Sequence, residues 1–296
     1  MSIKVGILMG GPSAERSISL ATADAVVQAC SSLGYKTVKL PFKHNYRKLL
    51  KNMKNTDIVF NALHGGAGEN GEIQKWMDDN SINYTGSGSK SSALCMNKGK
   101  SKKLAYDNNI KTPKWQVIKD KSVDVNMEFP LIVKPNEQGS TFGLSFVDKK
   151  ESLNHAIDKA FNFGDEVIIE AYIDGVELTV PILDSRVYPV IEIIPLNLIY
   201  DFECKYIPGM SRYICPARIN KVTEKKIKNN TKLLFQKFEC SVYARADYIL
   251  DEKGSAYFLE MNTLPGMTST SLLPKSVNVE GMSFISLIKK IIELSL

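Results

Sequence analysis

A mostly apolar run opens the chain, "IKVGILMGG" at residues 3–11, broken only by Lys4, the pattern of a buried strand that ends in a Gly-Gly turn. "SISLATADAVVQACSSLG" follows with helical spacing and is stopped by Gly34. "YKTVKLPF" and "TDIVFNALHGG" read as two more strands. Strands alternating with helices predict an open parallel sheet over residues 1–87. In such a sheet ligands gather at the strand C-terminal ends, where Gly10, Gly11, Glu15 and His64 stand.

From residue 88 the rhythm changes. One helix is expected through "SSALCMNKGKSKKLAYDNN", then strands in "WQVIK", "PLIVKPN" and "LSFVD", a helix near "ESLNHAIDKAFNF" and the strand "EVIIEAYI". This predicts an antiparallel α+β module over 88–176. A third unit, 177–296, contains the strands "LTVPILD" and "VYPVIEIIP", an irregular stretch from 196 to 219, the helix "TEKKIKNNTKLLFQKFE" and a hairpin at 245–262. Irregular stretches of that length are usually functional or disordered, and this one reads as a mobile loop.

Composition narrows the picture little beyond a globular chain. At 296 residues and 44% hydrophobic content, two or three cores are affordable. A net charge of +6 is spread among 32 acids rather than gathered into a stripe, so neither nucleic acid nor a membrane is expected as partner. Five scattered cysteines without a CxxC pair point to a reducing, cytoplasmic setting and not to a disulfide framework or zinc site.

Chemistry-bearing residues concentrate in a few places. "GKS" at 99–101 is not a P-loop, because Leu94 occupies the required glycine position and a helical pattern covers the stretch. In "KPNEQGSTFGLSFV", Gly139 and Gly143 bracket Ser140 and Thr141 between two strands, a loop able to fold over phosphates beside Lys134, or an ordinary hairpin turn. "IIEAYIDGVE" sets Glu170, Tyr172 and Ile173 at a strand end and Glu177 beyond a turn, suited to a purine and its ribose or simply to a surface turn. In "RADYILDEKGSAYFLEMN", a turn at Asp251–Gly254 puts Arg245 roughly opposite Glu260, with Asp247 diagonal to it and Asn262 on the same face. Such a face is either a cation site or a salt-bridged surface.

Together "GGPSAERSISL", "ALHGGAGENGEIQ", "IVKPNEQGSTFGLS", "DFECKY", "CPA" and "LEMNTLPGMTSTSLLP" resemble the D-alanine–D-alanine ligase family of the ATP-grasp superfamily, in matching order over essentially the whole chain. The resemblance implies an α/β (α+β) ATP-grasp fold of three domains, 1–87, 88–176 and 177–296, with ATP clamped between the second and third. It also implies a cytoplasmic homodimer that couples two D-alanines through an acyl phosphate for peptidoglycan synthesis. By the same resemblance Glu15 and His64 lie at the first substrate's ammonium, and Ser140 links the phosphates with Glu15 and Tyr206. Lys98, Lys134 and Lys205 bind phosphate. Glu170, Tyr172, Ile173 and Leu259 border adenine, and Glu177 the ribose. Asp247, Glu260 and Asn262 hold two Mg²⁺, or Mn²⁺ in its place. Arg245 and the Gly266 N–H form an oxyanion hole, and Ser271 and Leu272 hold the second substrate's carboxylate.

Four positions depart from the family pattern. Asn97 and Asn70 replace Asp, Ala171 replaces Lys, and Thr270 replaces His. Alternatives are a ligase of D-alanine with D-lactate or D-serine, or a catalytically silent ATP-binding relative; the "KY" at Lys205 and Tyr206 resembles the dipeptide-forming type.

Overall fold

The computed structural model describes residues 2–207 and 209–296. β1 (Lys4–Gly10), α1 (Arg16–Ser32), β2 (Lys36–Phe42), the short α2 (Leu50–Met53) and β3 (Ile58–Asn61) build a three-stranded parallel sheet in the order β2-β1-β3. β1 is buried from Val5 onward because it is the central strand and carries cover on both faces, which is why its sequence shows no polar alternation. Beyond β3, the helix α3 (Glu72–Asp79) starts after Gly71, and the Asn70 side chain before it accepts from the Glu72 N–H at 3.0 Å.

The single helix expected at 91–109 is two, α4 (Ser89–Met96) and α5 (Lys98–Asp107). Asn97 is extended between them (φ −77°, ψ 99°), and its side chain accepts from the Lys100 N–H at 2.9 Å. A good N-cap thus restarts the helix at a new angle and sets Lys98 in its first turn.

β4 (Trp115–Ile118), β5 (Leu131–Pro135), β6 (Ser145–Val147), α6 (Leu153–Phe161) and β7 (Val167–Ala171) form a four-stranded antiparallel sheet, β4-β7-β5-β6, with the helix packed against it. β8 (Val176–Leu183), β9 (Arg186–Val187), β10 (Ile191–Pro195), α7 (Phe202–Tyr206), β11 (Ser211–Ile214), α8 (Lys221–Lys237), β12 (Tyr243–Leu250) and β13 (Ala256–Asn262) supply a six-stranded antiparallel sheet. Its order is β11-β10-β8-β12-β13, with β9 on β8. The stretch 196–219 is therefore less irregular than its sequence suggests. Asp201 caps α7 by accepting from the Cys204 N–H at 2.9 Å, and β11 pairs with β10.

Packing crosses the linear segments. α9 (Leu272–Val279) and α10 (Phe284–Ser295) place Leu273, Val277, Leu287, Ile288, Ile291 and Ile292 in one core with Val5, Ile7 and Leu8 of the first sheet and Val26 of α1. Cys95, Ala105 and Ile110 pack instead with Leu178, Val180, Tyr248 and Phe258 of the large sheet. Each fully buried aliphatic side chain contributes about 1.5–3 kcal/mol, so these contacts tie the two ends of the chain firmly together. Among the described residues no helix is long and apolar enough to cross a membrane.

The hairpin register differs from expectation. Asp247 lies directly opposite Glu260, and Arg245 opposite Asn262. The connection runs to Ser255, closed by the Asp251 N–H on the Ser255 carbonyl and the Ser255 N–H on the Asp251 side chain, and the register shifts again after Asp247. That bulge leaves Leu259 unpaired, so that the consecutive Leu259 and Glu260 are both half-buried and both border the same cavity.

Candidate active site

Two adjoining cavities of about 300 and 430 Å³ lie where the sheets meet, and they share Lys98, Ser140, Tyr200, Lys205 and Glu260 in their walls. The larger has an apolar slot of Ile132, Phe142, Leu144, Ile193 and Ile249, and takes in Lys134, Glu170, Tyr172, Ile173, Glu177, Asp247 and Leu259. The smaller takes in Glu15, His64, Tyr206, Arg245, Asn262, Gly266, Ser271 and Leu272. Every site residue that the resemblance implies thus borders one of the two, whereas Gly10 and Gly11 at the end of β1 border neither.

At the outer end of the smaller cavity, three elements meet on one carboxylate. Glu15 sits at the N-terminus of α1, where the helix dipole favours negative charge. Ser140 donates to Glu15 Oε1, and Tyr206 Oη lies 3.0 Å from Ser140 Oγ and 3.3 Å from the same Glu15 oxygen. Burial and the neighbouring Glu69 raise the Glu15 pKa, while the two hydroxyls and His64 pull it back. Ser140 and Thr141 both hold left-handed backbone (φ 48° and 61°), a cost of order 1–3 kcal/mol each that the hydroxyl bonds at Glu15 and Tyr206 help to offset. The imidazole of His64 is fixed between Thr22 Oγ1, at 3.0 Å, and Glu69, at 3.6 Å.

Cationic groups line the junction of the cavities. Lys98 Nζ donates to the Gln138 carbonyl at 2.8 Å and lies 3.3 Å from Glu260. Lys134 Nζ is 3.0 Å from Glu170 Oε1, and the fully buried Lys102 approaches the same oxygen at 3.3 Å. Burial opposes the charge on Glu170, but the two lysines outweigh it and lower its pKa. Lys102 pays for this in the other direction: burial brings it down to about 8 despite Glu170. Lys205 lies over the Tyr200 ring, its Nζ 5.3 Å from the ring centre, and Tyr200 Oη is 3.0 Å from Tyr213 Oη.

On the hairpin, Arg245 grips Asp247 with two bonds of 2.8 and 3.0 Å, and Thr179 donates to the same carboxylate at 2.5 Å. Burial raises the Glu260 pKa, yet Lys98, Lys134, Lys205 and Arg245 together hold its carboxyl well below the usual range. Burial pushes Glu177 up to about 8, with Asp247 and Glu260 adding to the shift against Lys205 and Arg245. Among the described residues no three His, Cys, Asp or Glu side chains gather as a metal site. The donor set still fits a hard divalent cation, which accepts a few protein oxygens and completes its shell with phosphate and water. Two opposed carboxylates and the Asn262 amide supply those oxygens on one strand face.

The inner wall of the smaller cavity is the start of α9. Ser271 stands just before its first turn, its Oγ accepting from the N–H of Thr268 in the preceding loop at 3.0 Å, and a Cβ on Gly266 would meet that Oγ at 3.1 Å, so a glycine keeps the backbone close. Thr270 Oγ1 lies 3.2 Å from Thr268 Oγ1 on the same turn. Sequence reasoning missed Lys102, Tyr200 and Tyr213. A lysine in a helix with many exposed lysines gives no sign of burial, but both tyrosines stand within the stretch 196–219 already suspected.

A parallel sheet followed by two antiparallel sheets that close on a shared cleft of lysines and carboxylates defines an ATP-grasp fold. Residues 104–293 match the family model described as D-ala D-ala ligase C-terminus. The chain is 37% identical to the D-alanine–D-alanine ligase of Pelotomaculum thermopropionicum, covering 100% of this chain and 98% of the relative. It is 38% identical to D-alanine–D-alanine ligase B of Clostridium perfringens, covering 99% and 98%. The solved D-alanine–D-alanine ligase of Bacillus anthracis complexed with ATP superposes with a TM-score of 0.86 at 32% identity, over 99% of this chain and 97% of that one. The VanG D-Ala:D-Ser ligase of Enterococcus faecalis gives 0.86 at 28% identity over 100% of both. This chain belongs to the D-alanine–D-alanine ligase family.

Proposed function

We propose that this chain joins two D-alanines into D-alanyl-D-alanine with conversion of ATP to ADP and phosphate, for peptidoglycan precursor synthesis. The observation that carries this reading is the junction of the cavities: an apolar slot suited to a purine and a polar chamber suited to small zwitterions meet at Lys98, Lys205 and Glu260. Adenine lies against Leu259, Tyr172, Ile173 and the Glu170 strand end, and the ribose faces Glu177. Lys98, Lys134 and Lys205 bind the phosphates under the Ser140 loop. The first D-alanine places its ammonium near Glu15 and His64, and its carboxylate attacks the γ-phosphorus with ADP leaving. The neutral amine of the second D-alanine, its carboxylate held by Ser271 and Leu272 at the start of α9, then attacks the acyl carbon, and phosphate departs. Arg245 and the Gly266 N–H face the oxygen that becomes negative in the tetrahedral intermediate.

Asp247, Glu260 and Asn262 would hold two Mg²⁺ ions, or Mn²⁺ in their place, which supply charge neutralisation on the phosphates. In the state described Arg245 occupies both Asp247 oxygens, so it would yield at least one of them when a cation binds. We further assign residues 1–87, 88–176 and 177–296 as three domains, 196–219 as a lid, and a cytoplasmic homodimer as the working form.

The equal superposition on a D-Ala:D-Ser ligase supports a second reading, in which D-serine is the acceptor. Offering D-alanine, D-serine and D-lactate together with ATP and analysing the products by mass decides between them. D-alanyl-D-alanine with matching phosphate release is expected. A dominant D-alanyl-D-serine product overturns the choice of acceptor, and no amide or ester product overturns the ligase reading.

A further inference from the structure

At the edge of the cleft, one thiol pair is in contact among the described residues. Cys95 Sγ and Cys240 Sγ are 3.9 Å apart, although 145 positions separate them in sequence. Cys95 lies in the last turn of α4, is 3% exposed, and borders the smaller cavity three residues before Lys98. Cys240 is partly exposed in the turn between α8 and β12. The seam is held firmly: Ser91 donates to Cys240 Sγ at 3.4 Å, and the Ser241 N–H donates to Ser87 Oγ at 3.0 Å.

We propose that Cys95 and Cys240 form a peroxide-reactive dithiol that closes to a disulfide and, by drawing on the turn that carries Lys98, lowers turnover. Cys240 is the attacking sulfur. It is the more exposed of the two, and hydrogen bonds from Cys95 and Ser91 hold its thiol below the usual range against the effect of burial, whereas burial pushes Cys95 well up. Its thiolate attacks one oxygen of hydrogen peroxide; the O–O bond breaks, Cys240 becomes a sulfenic acid, and the departing hydroxide takes a proton to become water. The Cys95 sulfur, losing its proton, then attacks Cys240 Sγ, the S–S bond forms, and the S–O bond breaks to release a second water. Two thiols give up two electrons, and one peroxide is reduced to two waters.

Bond formation needs the sulfurs to approach by roughly 1.9 Å, from 3.9 Å to the ~2.05 Å of a disulfide. Rotation of Cys240 in its turn can supply part of that movement. The rest falls on α4, whose end leads through Asn97 directly to Lys98 and its contact with Glu260. Misplacement of a substrate-binding group by about 1 Å can cost up to a hundredfold, so a loss on the order of tenfold is expected. The other three thiols offer no such chemistry: burial takes Cys30 up to about 11, Cys204 is buried, and among the described residues neither Cys204 nor the half-buried Cys215 has another cysteine sulfur in contact.

The test treats the full chain with hydrogen peroxide at modest excess, maps disulfide-linked peptides by mass spectrometry, and measures ligation before and after dithiothreitol. A Cys95–Cys240 peptide is expected, with turnover falling about tenfold and returning on reduction. Cys240→Ser, with Cys240→Ala as a second variant, should form no such peptide and keep its turnover at the same dose. Absence of the linked peptide from the oxidised wild type overturns the dithiol. A linked peptide without loss of turnover, or equal loss in both Cys240 variants, overturns the link to Lys98. The turnover measurement rests on the ligase reading, but the peptide map does not, so failure of that reading leaves the dithiol separately decided.

Discussion

Replacing Tyr206 by phenylalanine removes one hydroxyl and leaves the rest of the proposed lid in place. The ring of residue 206 would still pack on Phe202 at 4.8 Å, and Phe202 on Phe142 at 5.2 Å, so the apolar seat of α7 survives. What is lost is the 3.0 Å bond to Ser140 and the longer 3.3 Å bond to the Glu15 carboxylate. One neutral bond and one weak charged bond are together worth about 1–3 kcal/mol, which shifts the balance between closed and open lid roughly 5- to 150-fold. Amide hydrogen exchange reads this shift directly. The N–H groups of Lys205 and Ile207 bond to the Asp201 and Glu203 carbonyls, and that of Cys204 to the Asp201 side chain, so all three are protected only while α7 is formed and seated. Their exchange should speed by that factor while amides of β12 stay unchanged, and more ATP should be consumed per dipeptide because water reaches the acyl phosphate. Unchanged exchange at all three amides, or equal acceleration in β12, would refute the idea that this hydroxyl is a local latch.

Glu177→Gln tests the half-buried carboxyl proposed to face the ribose. Its folded pKa of about 8 lies above the ordinary 4.5, so between those values the folded chain keeps a proton that the unfolded chain has lost, and wild-type stability declines as pH rises from about 4.5 to 8. In the presence of a chelator the glutamine variant should therefore gain about 1–3 kcal/mol on wild type between pH 5 and pH 8 in thermal unfolding, with allowance made for partial exposure; a pH-independent difference counts against the shift. Arg245→Met should lower kcat by roughly a hundredfold with little change in KM for ATP, and a collapse of ATP affinity at normal kcat would move the residue into the nucleotide site. Glu260→Gln should cost far more in turnover than in Tm, and near-normal turnover at saturating Mg²⁺ would remove it from the proposed cation site.

The parts of the fold that could be read from sequence were those in which one signal decided the outcome. The apolar run of β1 and the glycines around Ser140 specify a buried strand and a tight loop with few competitors. The hairpin register could not be read the same way, because a turn one residue longer and a bulge at Leu259 each move the pairing by one, and neither leaves a mark in the alternation of Tyr257 to Asn262. Asn97 hid a helix break inside a continuous helical pattern; capping there is a matter of backbone angle, and Lys98 owes its position to it. Lys102 illustrates a third kind of loss. Its burial depends on Glu170 arriving from β7, a contact between positions far apart in sequence that no local pattern encodes.

Because α10 completes the core around β1, the first sheet cannot finish folding when its own strands have been made. Val5, Ile7 and Val26 lack their covering layer until Leu287, Ile288, Ile291 and Ile292 have left the ribosome. During synthesis the earlier-made strands must therefore wait, partly bare, until residues 284–295 have been made, while the two antiparallel sheets between them can assemble in turn. A nascent chain of this kind depends on chaperones for its beginning rather than for its middle. Shortening the chain before Leu287 should release a protein whose antiparallel sheets are formed and whose N-terminal strands are the first material to aggregate.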